Sequence, residues 1–250
     1  MSAVAGTLVA GCQRDVSEID GAFYDGDGRL VHCGLNLDSE ANISEDSIDS
    51  GLDRARDRGE VVELYAHHPG VSVPVGKIEY VLAAATARGL GFVTYSDFAH
   101  DRAATPRLTG SPGLALSFDD NFVDAWAQLL PLFERYHARV TFFVSRYFAL
   151  NDEERADLQR LAASGHAIAA HSVRHFRAPD YVEDYGIDAY LRDELDPSIA
   201  ALRDQGFEVN AFAYPFGART GELDRAIAKR VPVIRSVAFS YTGVESPCPH

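Results

Sequence analysis

LALSFDDNF, residues 114–122, sets two adjacent carboxylates at the end of an apolar run. Successive side chains of a strand point to opposite faces, so Asp119 and Asp120 reach one cleft only where the chain begins to turn. From this point onward short β-type runs alternate with longer helical ones. GLALSF, RVTFFV, HAIAA, EVNAFAY and VPVIRSVAF read as strands. FVDAWAQLLPLFERYH, NDEERADLQRLAAS, YLRDELDPSIAALRDQG and GELDRAIAKR read as the helices between them. Pro131 predicts a kink in the first helix, Asn151 caps the second and Gly165 stops it. Such alternation is the grammar of βα units around a parallel sheet.

The first hundred residues continue the same pattern. RLVHCGLNL and VVELYA read as strands, joined by a helix that Ser44 caps and Gly59 ends. VGKIEYVLAAATARG reads as a helix and LGFVTYS as a strand. HDRAATPRLTGSPG at 100–113 has the Pro, Gly, Ser and Thr content of a surface loop. With 250 residues the chain can bury one substantial core, and 46% hydrophobic with 24% charged residues is an ordinary globular composition. A formal charge of -14 argues against nucleic-acid and anionic-membrane partners, both of which need positive surface. No stretch approaches the roughly 20 apolar residues of a membrane span. The opening MSAVAGTLVAGC faintly suggests a lipoprotein signal acylated at Cys12, but it lacks a positive start. Cys12, Cys33 and Cys248 have no metal-type spacing and read as incidental.

The second informative stretch is HAIAAHSVRH, in which His171 and His175 follow a strand. Histidines four apart converge on one ion if the segment turns helical. Imidazole with carboxylate suits Zn²⁺, and Co²⁺ or Ni²⁺ as well. Asp120, His171 and His175 would leave a coordination position open for water, the arrangement of a catalytic site. Asp119, next to a ligand yet aimed differently, is then the natural base. Taken singly, an Asp-Asp at a strand end is usually a helix cap, and HxxxH arises often by chance. Together, each at the end of a βα strand, they gain weight, because α/β sites form there.

LSFDDN, VTFFV, GHAIAAHSVRH and FAYPFG, in this order, resemble the polysaccharide deacetylases of the carbohydrate esterase 4 type, the NodB homology domain. The resemblance covers 114 to about 240 and implies a distorted (β/α) barrel. It implies Asp119 as catalytic base and Asp120, His171 and His175 as metal ligands. It also implies that the backbone N–H of Phe216 helps hold the oxyanion, with Tyr214 lining the cleft beside Pro215. Two positions depart from the family pattern. Asn121 stands where the family has glycine, and is expected to keep the left-handed turn. Ala213 stands where the family has the arginine that orients the base. A YPYG-like third motif resembles deacetylases of bacterial poly-N-acetylglucosamine.

Nothing after residue 240 supplies the family's last strand with its Leu-x-x-His. LYAHHPG at 64–70, followed by IEYVLAAATARGLGFVTYS, reads as that missing end placed ahead of the first motif. The economical reading is a single circularly permuted domain over 1–250, with 114–250 the early strands, 1–99 the late ones and 100–113 the joining loop. Exposed loops and neighbouring termini tolerate such rearrangement. A chain cut from a tandem protein is the rival. His67 then becomes the general acid that protonates the leaving amine, with His68 a weaker candidate. His166 reads as a hydrogen-bonded structural histidine and Trp126 as core. The aromatic residues of FRAPDYVEDYGIDAY, at 176–190, are expected to border a carbohydrate groove.

The expected activity is metal-dependent removal of acetyl groups from an acetylated carbohydrate polymer, with N-acetylglucosamine the favoured unit. Hydrolysis of a small amide or formamide is one alternative. A carbohydrate-binding relative without turnover is the other. Oligomeric state and cellular location are not legible, and the absence of a convincing signal peptide sits awkwardly with an extracellular polymer.

Overall fold

The computed structural model describes residues 15–103, 108–239 and 248. In chain order its strands are β1 (Phe23–Tyr24), β2 (Val31–Asn36), β3 (Val61–Ala66), β4 (Gly91–Phe92), β5 (Gly113–Asp120), β6 (Thr141–Val144), β7 (Ala167–Ala170), β8 (Ala211–Ala213) and β9 (Val233–Val237). Seven of them close a parallel barrel. Around the wall they run β5, β6, β7, β8, β9, β2, β3, and β3 returns to pair with β5 from Val61↔Gly113 to Ala66↔Phe118. β1 and β4 pair outside this ring, with β3 and β5 respectively.

Period-two alternation sorts the strand residues into two packed layers. Leu114, Leu116 and Phe118 face outward and join the larger core beneath the helices, together with Trp126 and Phe142. Val61, Ala115, Phe143, Ala169, Ala211 and Val233 fill the interior of the barrel with side chains from strand after strand. By the same alternation Ser117 and Asp119 point inward, and both are buried.

The helices follow local signals. α1 (Glu45–Arg58) starts at Ser44, whose hydroxyl accepts the Ser47 N–H, and ends at Gly59 with φ 67°. α2 is Val75–Ala87. The helix expected after β5 breaks in two, α4 (Val123–Ala127) and α5 (Leu130–Arg135), because Pro131 fits only the first turn of a new helix. α6 (Asp152–Ala163) carries a capping box from Asn151 and Glu154. α7 (Ala178–Tyr185) and α8 (Ile187–Tyr190) form within FRAPDYVEDYGIDAY, and a π-helical turn at Leu191–Leu195 leads into α9 (Asp196–Arg203). α10 is Gly221–Ile227.

Three expectations change. LGFVTYS yields only the two residues of β4 and then turns into α3 (Tyr95–Ala103), so the expected joining loop begins as helix. Thr94 and Asp97 cap that start reciprocally: Asp97 accepts the Thr94 N–H at 2.7 Å and Thr94 Oγ1 accepts the Asp97 N–H at 3.3 Å. Tyr95 and Phe98 of α3 pack into the interior layer, where the Tyr95 hydroxyl and His32 satisfy buried Glu63 at 2.8 and 2.9 Å. Finally, the cysteines are not all incidental, since Cys33 of β2 is disulfide-bonded to Cys248. Cys12 lies outside the described residues.

Candidate active site

Adjacent carboxylates share one cleft because β5 ends at Asp120, where the backbone leaves the strand's regular alternation. Asp119 keeps the inward phase of Ala115 and Ser117. Asp120 has φ 84°, which turns its side chain off the outward phase of Phe118. Asn121 was expected to take the left-handed conformation, but Asp120 takes it instead. The physical reason is that an L-residue at positive φ is tolerated where its side chain is needed and its surroundings hold it.

His171 and His175 converge without a helix, contrary to expectation. The segment from 171 to 177 is irregular, with positive φ at Ser172 (68°) and His175 (65°). The hydroxyl of buried Ser172 accepts the His175 N–H at 3.0 Å and closes the turn. Glu194, fully buried in the π-helical turn, clamps the same loop. Its carboxylate accepts the Arg174 N–H at 2.8 Å and Arg174 Nε–H at 2.5 Å, and its carbonyl accepts the Val173 N–H at 3.1 Å. A π turn registers Glu194 differently from a regular helix, a feature the sequence did not signal.

The donor atoms form a compact triangle. His175 Nε2 is 3.1 Å from His171 Nε2 and 3.2 Å from Asp120 Oδ1, and His171 Nε2 is 3.8 Å from Asp120 Oδ1. Donors bound tetrahedrally at 2.0–2.1 Å stand about 3.3 Å apart, so this set fits a small divalent cation. The protonation of His171 fits as well. The Ala213 carbonyl 2.9 Å away can only accept, so Nδ1 carries the proton and Nε2 keeps its lone pair for a ligand. Burial pushes this imidazole down to about 3, which keeps it neutral. Burial also lowers His175 and raises Asp120, each opposed by the other's charge.

Asp119 is buried and bonded to the guanidinium of Arg235. Arg235 lies on β9, three strands around the wall from β5, which carries Asp119, so the contact crosses the barrel interior. The rings of Tyr65 and Phe143 lie 4.7 and 5.1 Å from its guanidinium carbon. Burial alone would raise Asp119, but Arg235, His171 and His67 hold it below the usual carboxylate range. Its Oδ1 has no hydrogen-bond partner among the described residues, leaving one oxygen available for a proton.

His67 follows β3, and its Nδ1–H donates to Asp38 Oδ2 at 2.5 Å. Asp38, itself buried, also accepts the His67 N–H at 3.2 Å and the Ser72 hydroxyl at 3.0 Å. Trp126 Nε1–H donates to the His67 carbonyl at 3.3 Å from the core below. Burial opposes a charge on His67, yet the Asp38 bond and the charges of Asp119, Asp38 and Asp120 bring it up to about 9. His68 stacks on Phe122, with ring centroids 4.2 Å apart.

The remaining expected site residues divide. Phe216 is exposed, has φ 58°, and sets its ring 4.8 Å from that of His175. Gly217 follows at φ 64°, where a Cβ would stand 2.4 Å from Val237, so this tight turn requires glycine. Pro215 opens the turn and is buried. Tyr214 is sealed in the core, its hydroxyl donating to Asp224 at 2.9 Å; it anchors the turn and its ring does not line an open cleft. His166 is structural, accepting the Val140 N–H at 3.2 Å against Phe133.

Sequence reasoning missed Arg235, Asp38, Ser172 and Glu194. Of these only Ser172, inside the HSxxH stretch, was within reach of a motif. Ser172→Ala is expected to weaken cation binding about tenfold, as loss of an outer hydrogen bond to a ligand loop typically does. Competition with a chromogenic chelator measures it, and an unchanged affinity would count against this role.

Residues 107–233, just over half of the chain, match the family described as polysaccharide deacetylase. No curated protein matches. The solved structure of IcaB from Ammonifex degensii is similar at 16% identity and TM-score 0.57, over 73% of this chain and 92% of that one. The chitin deacetylase from Colletotrichum lindemuthianum is 19% identical over 49% of this chain and 54% of that one, with TM-score 0.40. Peptidoglycan deacetylase PdaC from Bacillus subtilis is 21% identical over 50% and 57%, with TM-score 0.39. The first of these shows a shared barrel, and the match to the family over its motif-bearing half carries the assignment. The chain belongs to the polysaccharide deacetylase family.

Proposed function

We propose that this protein is a cation-dependent hydrolase that removes acetyl groups from an N-acetylglucosamine-based polymer. The observation that carries the reading is the placement of buried Asp119, with a free carboxylate oxygen, beside the Asp120, His171 and His175 donors. Zn²⁺ suits two imidazoles and a carboxylate best, with Co²⁺ or Ni²⁺ as substitutes, and supplies Lewis acidity toward water and the acetyl carbonyl. The protein's own residues do the rest. Asp119 takes the proton from the water that attacks the acetyl carbon, while Arg235 keeps it ionised and aimed. In this reading the backbone N–H of Phe216, whose ring lies 4.8 Å from that of His175, donates to the developing oxyanion. As the carbon–nitrogen bond breaks, imidazolium His67 gives its Nε2 proton to the departing nitrogen, its Nδ1–H held by Asp38. Acetate and a free amine result.

The same reading takes the chain as one permuted domain. The wall order β5 through β9 followed by β2 and β3 supports it, since the amino-terminal strands stand where late strands of the family are expected. The Cys33–Cys248 disulfide supports an oxidising compartment, where such a polymer would be met. No helix among the described residues is long and apolar enough to cross a membrane.

Acetate release from N-acetylglucosamine oligomers, poly-N-acetylglucosamine and acetylated xylan tests the proposal. Release should fall to background with a chelator and return with added Zn²⁺, Co²⁺ or Ni²⁺. Cation-loaded protein that releases acetate from none of them would overturn it.

A further inference from the structure

Gly34 stands in the middle of β2, in extended backbone with no turn to make. A glycine inside a strand weakens it and often marks a place where another group comes close. Here that group is Tyr65 of the neighbouring strand β3. A Cβ on Gly34 would stand 2.9 Å from Tyr65 Cδ1 and 3.6 Å from its Cβ and Cγ. β2 and β3 run parallel with Asn36 opposite Tyr65, so Gly34 shares the inward face of Tyr65, two residues before that partner. The space of the missing side chain is filled by the Tyr65 ring.

Tyr65 is buried, and its ring touches the supports of both proposed proton carriers. It lies 4.7 Å from the guanidinium carbon of Arg235, the cation bonded to Asp119. It also meets the His67 imidazole nearly edge-on, with ring centroids 5.6 Å apart and planes at 76°. Phe143 reaches Arg235 as well, at 5.1 Å, but makes no ring contact with His67. Among the described residues Tyr65 is thus the aromatic side chain common to the two.

Each contact supplies what the hydrogen bonds leave open. Arg235 is bonded to Asp119, but its Nε–H has no hydrogen-bond partner among the described residues. An aromatic face against the guanidinium therefore helps to hold its plane. The His67 ring is fixed at Nδ1 by Asp38, and a single hydrogen bond to a ring lets it tilt about that bond. The edge-on contact with Tyr65 limits the tilt and so sets where Nε2 points.

We propose that Tyr65 is a positioning residue shared by the base Asp119, through Arg235, and the acid His67, and that Gly34 provides the room its ring needs. The inference rests on the proposed function for its kinetic consequences, while the placement of the ring is read without turnover. Tyr65 acts through the face and edge of its ring.

Gly34→Ala is the sharpest probe, because it adds one methyl group on β2 and alters no proposed catalytic or metal-binding side chain. It should displace the ring and lower kcat on N-acetylglucosamine oligomers about tenfold, with KM and Zn²⁺ affinity nearly unchanged. Tyr65→Leu should lower kcat roughly 10–100-fold, and Tyr65→Phe should bring it back to within about threefold of wild type. An aryl acetate needs the base but no acid, so it should lose activity in both damaged variants, yet less than the amide. Adding Gly34→Ala to Tyr65→Leu should bring little further loss, since the methyl then meets no ring. Magnetic resonance of the histidine imidazoles, with His67 assigned from His67→Gln, reports the placement directly. The His67 signals should move in Gly34→Ala and Tyr65→Leu and stay near wild type in Tyr65→Phe. Gly34→Ala, which keeps the ring, carries the test if Tyr65→Leu does not fold. Unmoved His67 signals, additive losses in the double variant, an ester loss that is absent or equal to the amide loss, or a Tyr65→Phe as damaged as Tyr65→Leu would overturn the inference. Moved signals in a protein that releases acetate from no substrate would support the placement of Tyr65 and count against the deacetylase reading alone.

Discussion

Arg235→Leu is expected to lower kcat/KM by roughly 10²–10³ and stability by roughly 3–5 kcal/mol. Arg235 is fully buried, and its guanidinium is the cation bonded to buried Asp119. Leucine fills much of the space but leaves a carboxylate in the barrel without that partner. Burial already pushes Asp119 upward, and Arg235 is the largest of the charges that hold it below 3.8. A depressed carboxylate contributes stability that is present above its unfolded value and is lost as pH falls through the folded one. The melting temperature should therefore fall by roughly 10 °C at neutral pH, with the gap to wild type narrowing under acid conditions. The same change moves the acid limb of the kcat/KM profile to higher pH, because the base now holds its proton longer. Arg235→Lys keeps the charge but not the planar fork, and should be intermediate. A variant with the wild-type profile would show that Arg235 serves packing alone.

Asp38→Asn should reduce kcat on an amide substrate by about 10²–10⁴, in the range seen when a catalytic histidine loses its orienting carboxylate. Asp38 fixes Nδ1–H of His67 and, with Asp119 and Asp120, raises it to about 9 against the pull of burial. Below that value His67 is imidazolium and has a proton to give. Stability from the pair follows the same sign, fully present below the ordinary 6.5 and lost as pH rises through about 9. A bound cation offsets the share due to Asp120, so the alkaline limb of the loaded enzyme should fall between 6.5 and 9. In Asp38→Asn the limb moves down, and burial leaves little imidazolium at neutral pH. Comparison of an N-acetyl sugar with an aryl acetate separates the roles, since an aryl leaving group needs no proton. The ester should lose far less than the amide; equal losses would remove His67 from the acid role.

Several elements were legible because their causes are local. Ser44, Asn151 and Pro131 set helix ends through bonds that reach only a few residues, and the structure places those ends accordingly. The core phase of β5 was legible too, since alternation alone puts Leu114, Leu116 and Phe118 opposite Ala115, Ser117 and Asp119. The expectations that failed depended on less local matters. LGFVTYS has strand composition, but the Thr94–Asp97 cap and a place for Tyr95 inside the barrel turned it into helix. Tyr214 looked like a cleft residue by resemblance, and its hydroxyl instead found Asp224 in the core.

By itself the sequence brought out the candidate groups: Asp119 and Asp120 are neighbours at the end of one strand, and His171 and His175, four apart, follow the end of another. Only the tertiary structure decided how these groups are held. Left-handed turns at Asp120, Ser172 and His175, not a helix, aim the donors. Asp119 receives its arginine from position 235, 116 residues away and across the barrel, in place of the one missing at Ala213. His67 receives its carboxylate from Asp38, 29 residues upstream on the segment after β2. The reason is geometric: a closed barrel brings every strand end to one rim and every inward side chain to one interior. Partners there are chosen by distance across the lumen, and spacing along the chain carries no trace of it.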